Sequence, residues 1–514
     1  MGRLRLLHPF CFGGIICFFL AAPPLLFAQS LPGVDIPGAV HIDALGYNEN
    51  ELSIAQAAEL ADRARLGVAI MTPHDQGEVT YGLPLLRHLL RTKGSLSSVQ
   101  TYGVSKYLDE VHATDAQYPQ VLVIDGVEAI PAYYWESSPL TGSAIVRNFH
   151  KHLLIIGLPS VEAYSGIPSV TNGFPMTSWL RWLLEFWPVT LVAIGLGLAI
   201  HARRNDAWDD PHSARPGLLT ALTGSVLLIN TLPGISLYDQ YHGDPGEGPY
   251  QAVIDYTNTH GALTFWAHPE VSQRLARAIP WPASVLADSV IFDTQPYTQA
   301  LLTTKDYTGF AIFETGMSVV GKPGGIWDQV LTEYCAGVRK RPVWAIGELD
   351  LENGTKAQDM TTCETVFFLN DFTRQGALDA LRKGAIYARR GAGNRLRLKQ
   401  FAVSNEAGTR LGVMGQKVTL ASSPTIHFTL ANEDGKPRNL SVLVIRDGTV
   451  IRTIQTEGNL SMTIQDKVIA GSGTTFYRLI VLQDDWPVLA SNPVFVTIRK
   501  NAGELPALAE EPGA

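Results

Sequence analysis

Residues 41–75, HIDALGYNENELSIAQAAELADRARLGVAIMTPHD, place an amphipathic stretch between two short apolar runs. The first run, AVHID over 39–43, is apolar and finishes in polar residues, as a buried strand does. Ser53, followed three positions later by Gln56, is the pattern in which two side chains reciprocally cap the first turn of a helix. Gly67 supplies the stop signal of that helix. Val68, Ala69, Ile70 and Met71 make a second strand-like run, which leads into Thr72, Pro73, His74 and Asp75. The unit recurs along the chain. VLVIDGVEA reaches Glu128, HLLIIGL opens with His152, LTFWAHPE runs through His268, and VWAIGELDLE reaches Asp350 and Glu352. Apolar strands alternating with helical stretches predict an α/β fold with a largely parallel sheet. In a parallel barrel the C-terminal ends of the strands converge on one face, so polar residues at those ends meet.

The chain has 514 residues, enough for two or three domains at roughly 150 residues each. Its 46% hydrophobic and 17% charged composition excludes intrinsic disorder, and four cysteines exclude a disulfide-dense scaffold. A net charge of −8 provides no basic field for nucleic acid.

The surplus apolarity lies in three blocks. Residues 1–29 carry Arg3 and Arg5 ahead of an apolar run containing Cys11 and Cys17, which reads as a signal peptide or an uncleaved N-terminal anchor. Blocks at 179–200 and 217–237 flank a short loop holding Arg203, Arg204 and Arg215, and read as a two-helix transmembrane hairpin with a cytoplasmic turn. Residues 30–178 and 238–392 would then be two parts of one barrel on the periplasmic, extracytoplasmic side of an inner membrane. Short alternating runs from 393 to 500 predict a β-sandwich, and 501–514 a disordered tail. Cys335 and Cys363 suit either one disulfide or two buried thiols.

His41, Asp43, His74, Glu128, His152, His268, Asp350 and Glu352 form a set of imidazoles and carboxylates without a thiolate. Such a set suits two or three divalent ions, Mn, Fe or Zn. A multinuclear centre of this kind supplies a metal-bound hydroxide and polarises the oxygen it attacks. His150 competes with His152, and Glu348 with Asp350. Glu314 ends another strand-like run, and Lys322 and Arg339 are cations available to a substrate anion.

The stretch 41–75 resembles the opening of the PHP (polymerase and histidinol phosphatase) family: His-x-His, a helix, then an apolar strand into Thr-Asp-His. DGVEA resembles the family's Gly-x-Glu motif, HLL its third motif and AHPE its Ala-His-Pro. The segment 326–352 is similar to the one leading to the family's closing Asp-x-His. FTRQGALDALRKGAIYARRG resembles the helix and strand that succeed this motif in the branch related to carbaryl hydrolase. The resemblance implies a distorted (β/α)7 barrel, interrupted here by the hairpin, that cleaves phosphate esters. It also implies that His41, Asp43, His74, Glu128, His152, His268, Asp350 and Glu352 ligate metal, with His268 and Asp350 at the reacting centre. The chain departs from the family at Asp43, Pro73 and Glu352, where the motifs carry His, Asp and His. Asp43 and Glu352 retain ligating atoms, and Pro73 does not. The expected protein is therefore a membrane-anchored phosphoesterase or other esterase acting on a small molecule. The alternative is a degenerate barrel serving as a metal- or ligand-binding sensor or assembly module, with the β-sandwich meeting an envelope partner.

Overall fold

The computed structural model describes residues 34–499 apart from 49–50, 84–85, 138–141, 143, 176–178, 180–182, 184, 207–213, 232–235, 279–288, 314, 392–393, 410 and 468–472. The expected signal or anchor at 1–29, the tail at 501–514, and Glu314 lie outside the described residues.

Seven strands close into a barrel: β1 (Val34–Ile42), β2 (Val68–Met71), β3 (Leu122–Ala129), β4 (Leu153–Ile156), β5 (Leu263–Trp266), β6 (Gly309–Ile312) and β7 (Trp344–Leu351). β1 pairs in parallel with both β2 and β7, which seals the ring. β4 runs antiparallel to β3 and β5, so the barrel is not a uniform parallel one. Helix α1 (Ile54–Arg63) starts at the expected capping box, with both Ser53–Gln56 hydrogen bonds formed. Its buried Ile54, Ala57, Ala58 and Ala61 join the apolar layer outside the strands.

Alternate residues of the strands, including Val40, Val68, Ile70, Ile124, Leu154, Ile156, Leu263, Phe265 and Ile346, form one apolar cluster. Because they come from every side of the ring, they fill its interior. Ala377, Leu378 and Leu381 of α2 (Arg374–Lys383) join that cluster and close the end at which the strands begin. The opposite mouth, where every barrel strand but β4 finishes and β4 begins, holds the polar residues.

The barrel sheet continues without interruption through Cys363–Leu369 and Ile386–Arg390 into a β-rich C-terminal region. There, a four-stranded sheet (Leu411–Val413, Leu396–Ser404, Thr425–Asn432, Leu460–Gln465) shares a core with strands Leu440–Arg446 and Gly473–Gln483, built on Leu398, Phe428, Val442 and Leu479. Asn492 ties the two regions together. Its side-chain amide accepts the Ala345 N–H and donates to the Ala345 and Ile386 carbonyls.

The membrane hairpin, and with it the expected inner-membrane, periplasmic placement, is overturned. No helix among the described residues is long and apolar enough to cross a membrane. Phe186 and Trp187 form a turn that interrupts the second apolar block, so its continuous helix, α3 (Pro188–Asp206), starts only at Pro188. His201, Arg203, Arg204 and Asp206 occupy its last turns. Its apolar part, from Val189 to Ile200, is about 18 Å long at ~1.5 Å per residue, against ~30 Å of hydrocarbon. The partner helix α4 (Arg215–Thr231) has 17 residues. The two pack backbone to backbone: a Cβ on Gly195 or Gly217 would fall within 2.4 Å of the opposite helix. Asn230 fastens the pair to the barrel side by accepting the N–H groups of His88 and Leu89. Cys335 and Cys363 do not form the disulfide considered above.

Candidate metal centre

The interior phase of the strands dictates which side chains reach the open mouth. His74, Glu128, His152, Glu348 and Asp350 fall in step with the interior residues of their own chain segments, at even spacing from Ile70, Ile124, Leu154 and Ile346. His41 and His268 fall out of step and should face the helices. Each is turned instead by a positive φ, 72° at His41 and 22° at His268. At His41 the register slips against both neighbouring strands between Val40 and Ile42. A β-bulge re-aims a side chain in this way, and such strain gathers at functional sites. Asp350 also has positive φ, 52°.

Glu128 lies at the centre, 2% exposed, with four imidazoles around it. Its Oε1 is 2.5 Å from His152 Nδ1, 3.0 Å from His268 Nε2 and 3.3 Å from His41 Nε2, and its Oε2 is 2.8 Å from His74 Nδ1. His41 Nε2 also faces Asp350 at 3.6 Å and Asp43 at 3.8 Å. Two donor trios result, His74–Glu128–His152 and His41–Asp43–Glu128, each with its ligating atoms within 4.8 Å of one another. They share Glu128.

The outer nitrogens explain why these contacts call for a cation. His152 Nε2 is 2.7 Å from the Phe149 carbonyl, which can only accept, so that nitrogen carries the proton. His41 Nδ1 donates to Glu348 at 2.9 Å. Tyr297 donates its hydroxyl to the Ala267 carbonyl at 2.6 Å, so His268 Nδ1, 3.0 Å away, donates to the Tyr297 oxygen. In each neutral ring the inner nitrogen then turns a lone pair on a carboxylate oxygen. Lone pair against lone pair is repulsive unless a proton or a metal ion stands between them. His41 Nε2, Asp43 Oδ1 and His74 Nδ1 are buried and lack a hydrogen-bond partner among the described residues. The residues present fit a divalent cation.

Protonation without a cation follows the same geometry. Burial opposes charge on His74, yet the Glu128 carboxylate overrides it and lifts the pKa to about 9. His268 also reaches about 9, against burial, through its Glu128 hydrogen bond and the charges of Glu348 and Asp350. For His41, too, Glu128 and Asp350 outweigh burial and raise the pKa well above the usual imidazole value. Burial pushes Asp43 up to about 8. Glu128 itself is held far below the usual carboxylate range, despite burial, by His152, His41 and His74.

The structure brings together His41, Asp43, His74, Glu128, His152, His268 and Asp350, although α3 and α4 separate His152 from His268 along the chain. Glu352 is exposed just beyond β7 and belongs to neither donor trio. His150 lies beside His152, with ring centroids 5.7 Å apart, while His152 is the one on Glu128. Glu348 and Asp350 divide the work: Glu348, 0% exposed, holds His41 Nδ1 and the His268 N–H, while Asp350 faces the inner nitrogen of His41. Arg339 is a structural staple on Glu333 and the carbonyls of Leu301, Leu302 and Thr304, and Lys322 is exposed. Sequence reasoning missed Tyr297 and also Asp75, which is 1% exposed and accepts the N–H groups of Gln76 and Ile130. Asp75 directly succeeds His74 and is visible as the end of that motif. Tyr297 lies in a loop that carries no periodic signal.

No family model and no curated protein matches the chain. Among solved structures, a two-domain protein of Bacteroides vulgatus, described as containing a predicted PHP-like metal-dependent phosphoesterase, aligns over 90% of this chain and 96% of its own. The two share 10% identity with a TM-score of 0.31. An overlap this loose carries no inference about chemistry, which rests on the geometry of the Glu128 cluster.

Proposed function

We propose that the chain is a PHP-type metal-dependent hydrolase acting on phosphoesters of small molecules, with two or three divalent ions at the barrel mouth. The observation that carries the reading is the set of four imidazole nitrogens aimed at one buried carboxylate, with the outer nitrogens of His41, His152 and His268 already engaged. Divalent cations held there would polarise a phosphoryl oxygen and activate water. The chain's own residues do the rest. His41, Asp43 and Asp350 would supply donors on one side of Glu128 and His74 and His152 on the other. Glu348 and Tyr297 fix the tautomers of His41 and His268. Asp350, with a side chain 31% exposed, is the ligand-set carboxylate placed to receive a proton at the rim. The added carboxylate at Asp43 favours a harder ion, Mn or Fe, over Zn.

One observation favours a second reading, a barrel that binds cations without turnover. Pro73 stands where the resemblance calls for Asp and offers no ligating atom. Its carbonyl accepts the Glu128 N–H at 3.0 Å, so this position supports the cluster through the backbone and not as a ligand side chain.

Metal analysis of the purified full chain, paired with a panel of phosphomonoesters, phosphodiesters and carboxylic esters, tests both. The expected result is bound transition metal and phosphoester turnover. Glu128→Gln and His74→Ala should each lower turnover by more than the roughly 10–100-fold that loss of an outer partner costs. Metal with no turnover on any substrate selects the second reading. Folded protein that takes up no metal overturns both.

A further inference from the structure

At the closed end of the barrel, away from the Glu128 cluster, lies a cavity of about 400 Å³. Its walls come from the start of β1 at Pro37, from Arg65 just ahead of β2, from Glu364 and Arg389 in the strands that leave the barrel, and from Arg395, Arg397, Glu433 and Asp434 in the C-terminal region. Four guanidinium groups thus face three carboxylates. Every carboxylate already has a cation: Glu364 takes Arg389, Glu433 takes Arg397 and Lys399, and Asp434 takes Arg438. The guanidinium groups of Arg65 and Arg395 make no hydrogen bond or ion pair among the described residues, and both residues are exposed at the rim. Arg389 is 3% exposed, and its buried Nε lacks a hydrogen-bond partner among the described residues. Burial pushes the Glu364 carboxyl up, and the charges of Arg389, Arg395 and Arg397 work against that shift.

Two uncommitted cations and an orphaned buried donor match a dianion with several acceptor oxygens. Arginine's planar fork suits phosphate in this role. Inorganic phosphate alone would leave most of the volume unfilled, and Pro37, Ala64 and Leu66 supply apolar wall. We propose that this cavity binds a phosphomonoester, with its phosphate held by Arg65, Arg395 and Arg389 and its organic part against the apolar wall. The site is independent of hydrolysis at the other end of the barrel.

The test is calorimetric titration of the full chain, stripped of metal and carrying His74→Ala, with inorganic phosphate and with phenyl phosphate at constant ionic strength. The expected result is saturable binding, tighter for phenyl phosphate. Adding Arg65→Gln and Arg395→Gln together should weaken that binding by about tenfold or more. Both side chains lie at the surface, so circular dichroism should show an unchanged fold. Absence of saturable binding of either probe up to about 10 mM overturns the proposal. Binding that the double substitution leaves unaltered overturns it as well.

Discussion

The barrel holds two kinds of buried charge. Beneath the C-terminal sheet, Arg478 and Asp328 form a bidentate pair. Nε donates to Oδ1 and Nη2 to Oδ2, both at 2.6 Å, with the guanidinium 4.6 Å above the Trp327 ring. One cation meets one anion, and the Lys322 carbonyl and the Gly324 N–H complete the contact. At the open mouth, one carboxylate faces four imidazoles, and His41 Nε2, Asp43 Oδ1 and His74 Nδ1, which lack a hydrogen-bond partner among the described residues, all belong to that cluster. A matched pair fastens two segments, whereas a surplus of donor atoms around one anion holds a place for a cation.

The two respond differently to pH, and the largest expected effect lies there. Arginine does not titrate in the accessible range. His74 and His268, each lifted to about 9 by carboxylates that outweigh burial, keep their protons in the metal-free protein. Because the folded pKa exceeds the unfolded value near 6.5, the stability they contribute is complete below about pH 6.5 and is lost as pH rises towards 9. A cation must expel the same protons. Metal affinity should therefore climb across this window, by roughly tenfold per pH unit for each proton released, while the melting temperature of the stripped protein falls. Competition titrations with a chelator from pH 6.5 to 9 measure the first trend and thermal melts the second. A flat affinity would mean that no protons occupy the cluster.

Arg478→Ala isolates the other half of the contrast. Leaving Asp328 buried without its partner should cost about 3–5 kcal/mol of stability in denaturant unfolding. Metal content should stay at the parent value, since the pair's partners Lys322, Gly324 and Trp327 are not among the donors around Glu128. A loss of metal at unchanged stability would reverse the assignment of the two clusters.

What the sequence discloses divides along the same line. Strand ends are legible because apolar runs stop where polar residues begin, so period and position alone place His74, Glu128 and His152. His41 and His268 resist that logic, since strict alternation turns them outward, and only the bulge and positive φ bring them in. Their motif context, not their phase, singles them out. Glu348 and Asp350 share one face of β7, so alternation cannot say which ligates and which orients. The helical pair misleads because summed apolarity over 179–237 ignores where helices start and stop. The turn at Phe186 and Trp187 and the charged end of α3 shorten the span below what hydrocarbon requires. The Arg478–Asp328 contact joins residues 150 apart in sequence and leaves no local trace.

Tyr297 offers the smallest and most specific change. Its oxygen accepts the His268 Nδ1 proton and, at 3.5 Å, the His152 backbone N–H, while its own proton goes to the Ala267 carbonyl, so its main action on the centre is through the His268 tautomer. Tyr297→Phe keeps the ring contacts with His268 and Trp266 and removes only that oxygen. His268 can then place its proton on Nε2, the nitrogen facing Glu128, where it blocks a ligand lone pair. Loss of an outer partner typically costs 10–100-fold in metal affinity, and a neutral hydroxyl belongs near the lower bound, about tenfold. A tautomer can be misplaced only once the imidazolium has lost a proton, so the defect should emerge as pH rises towards 9, whereas a packing defect would persist at every pH. Metal titrations of the variant at pH 7 and pH 9 separate the two. An equal loss at both values would show that Tyr297 supports the pocket wall and not the tautomer.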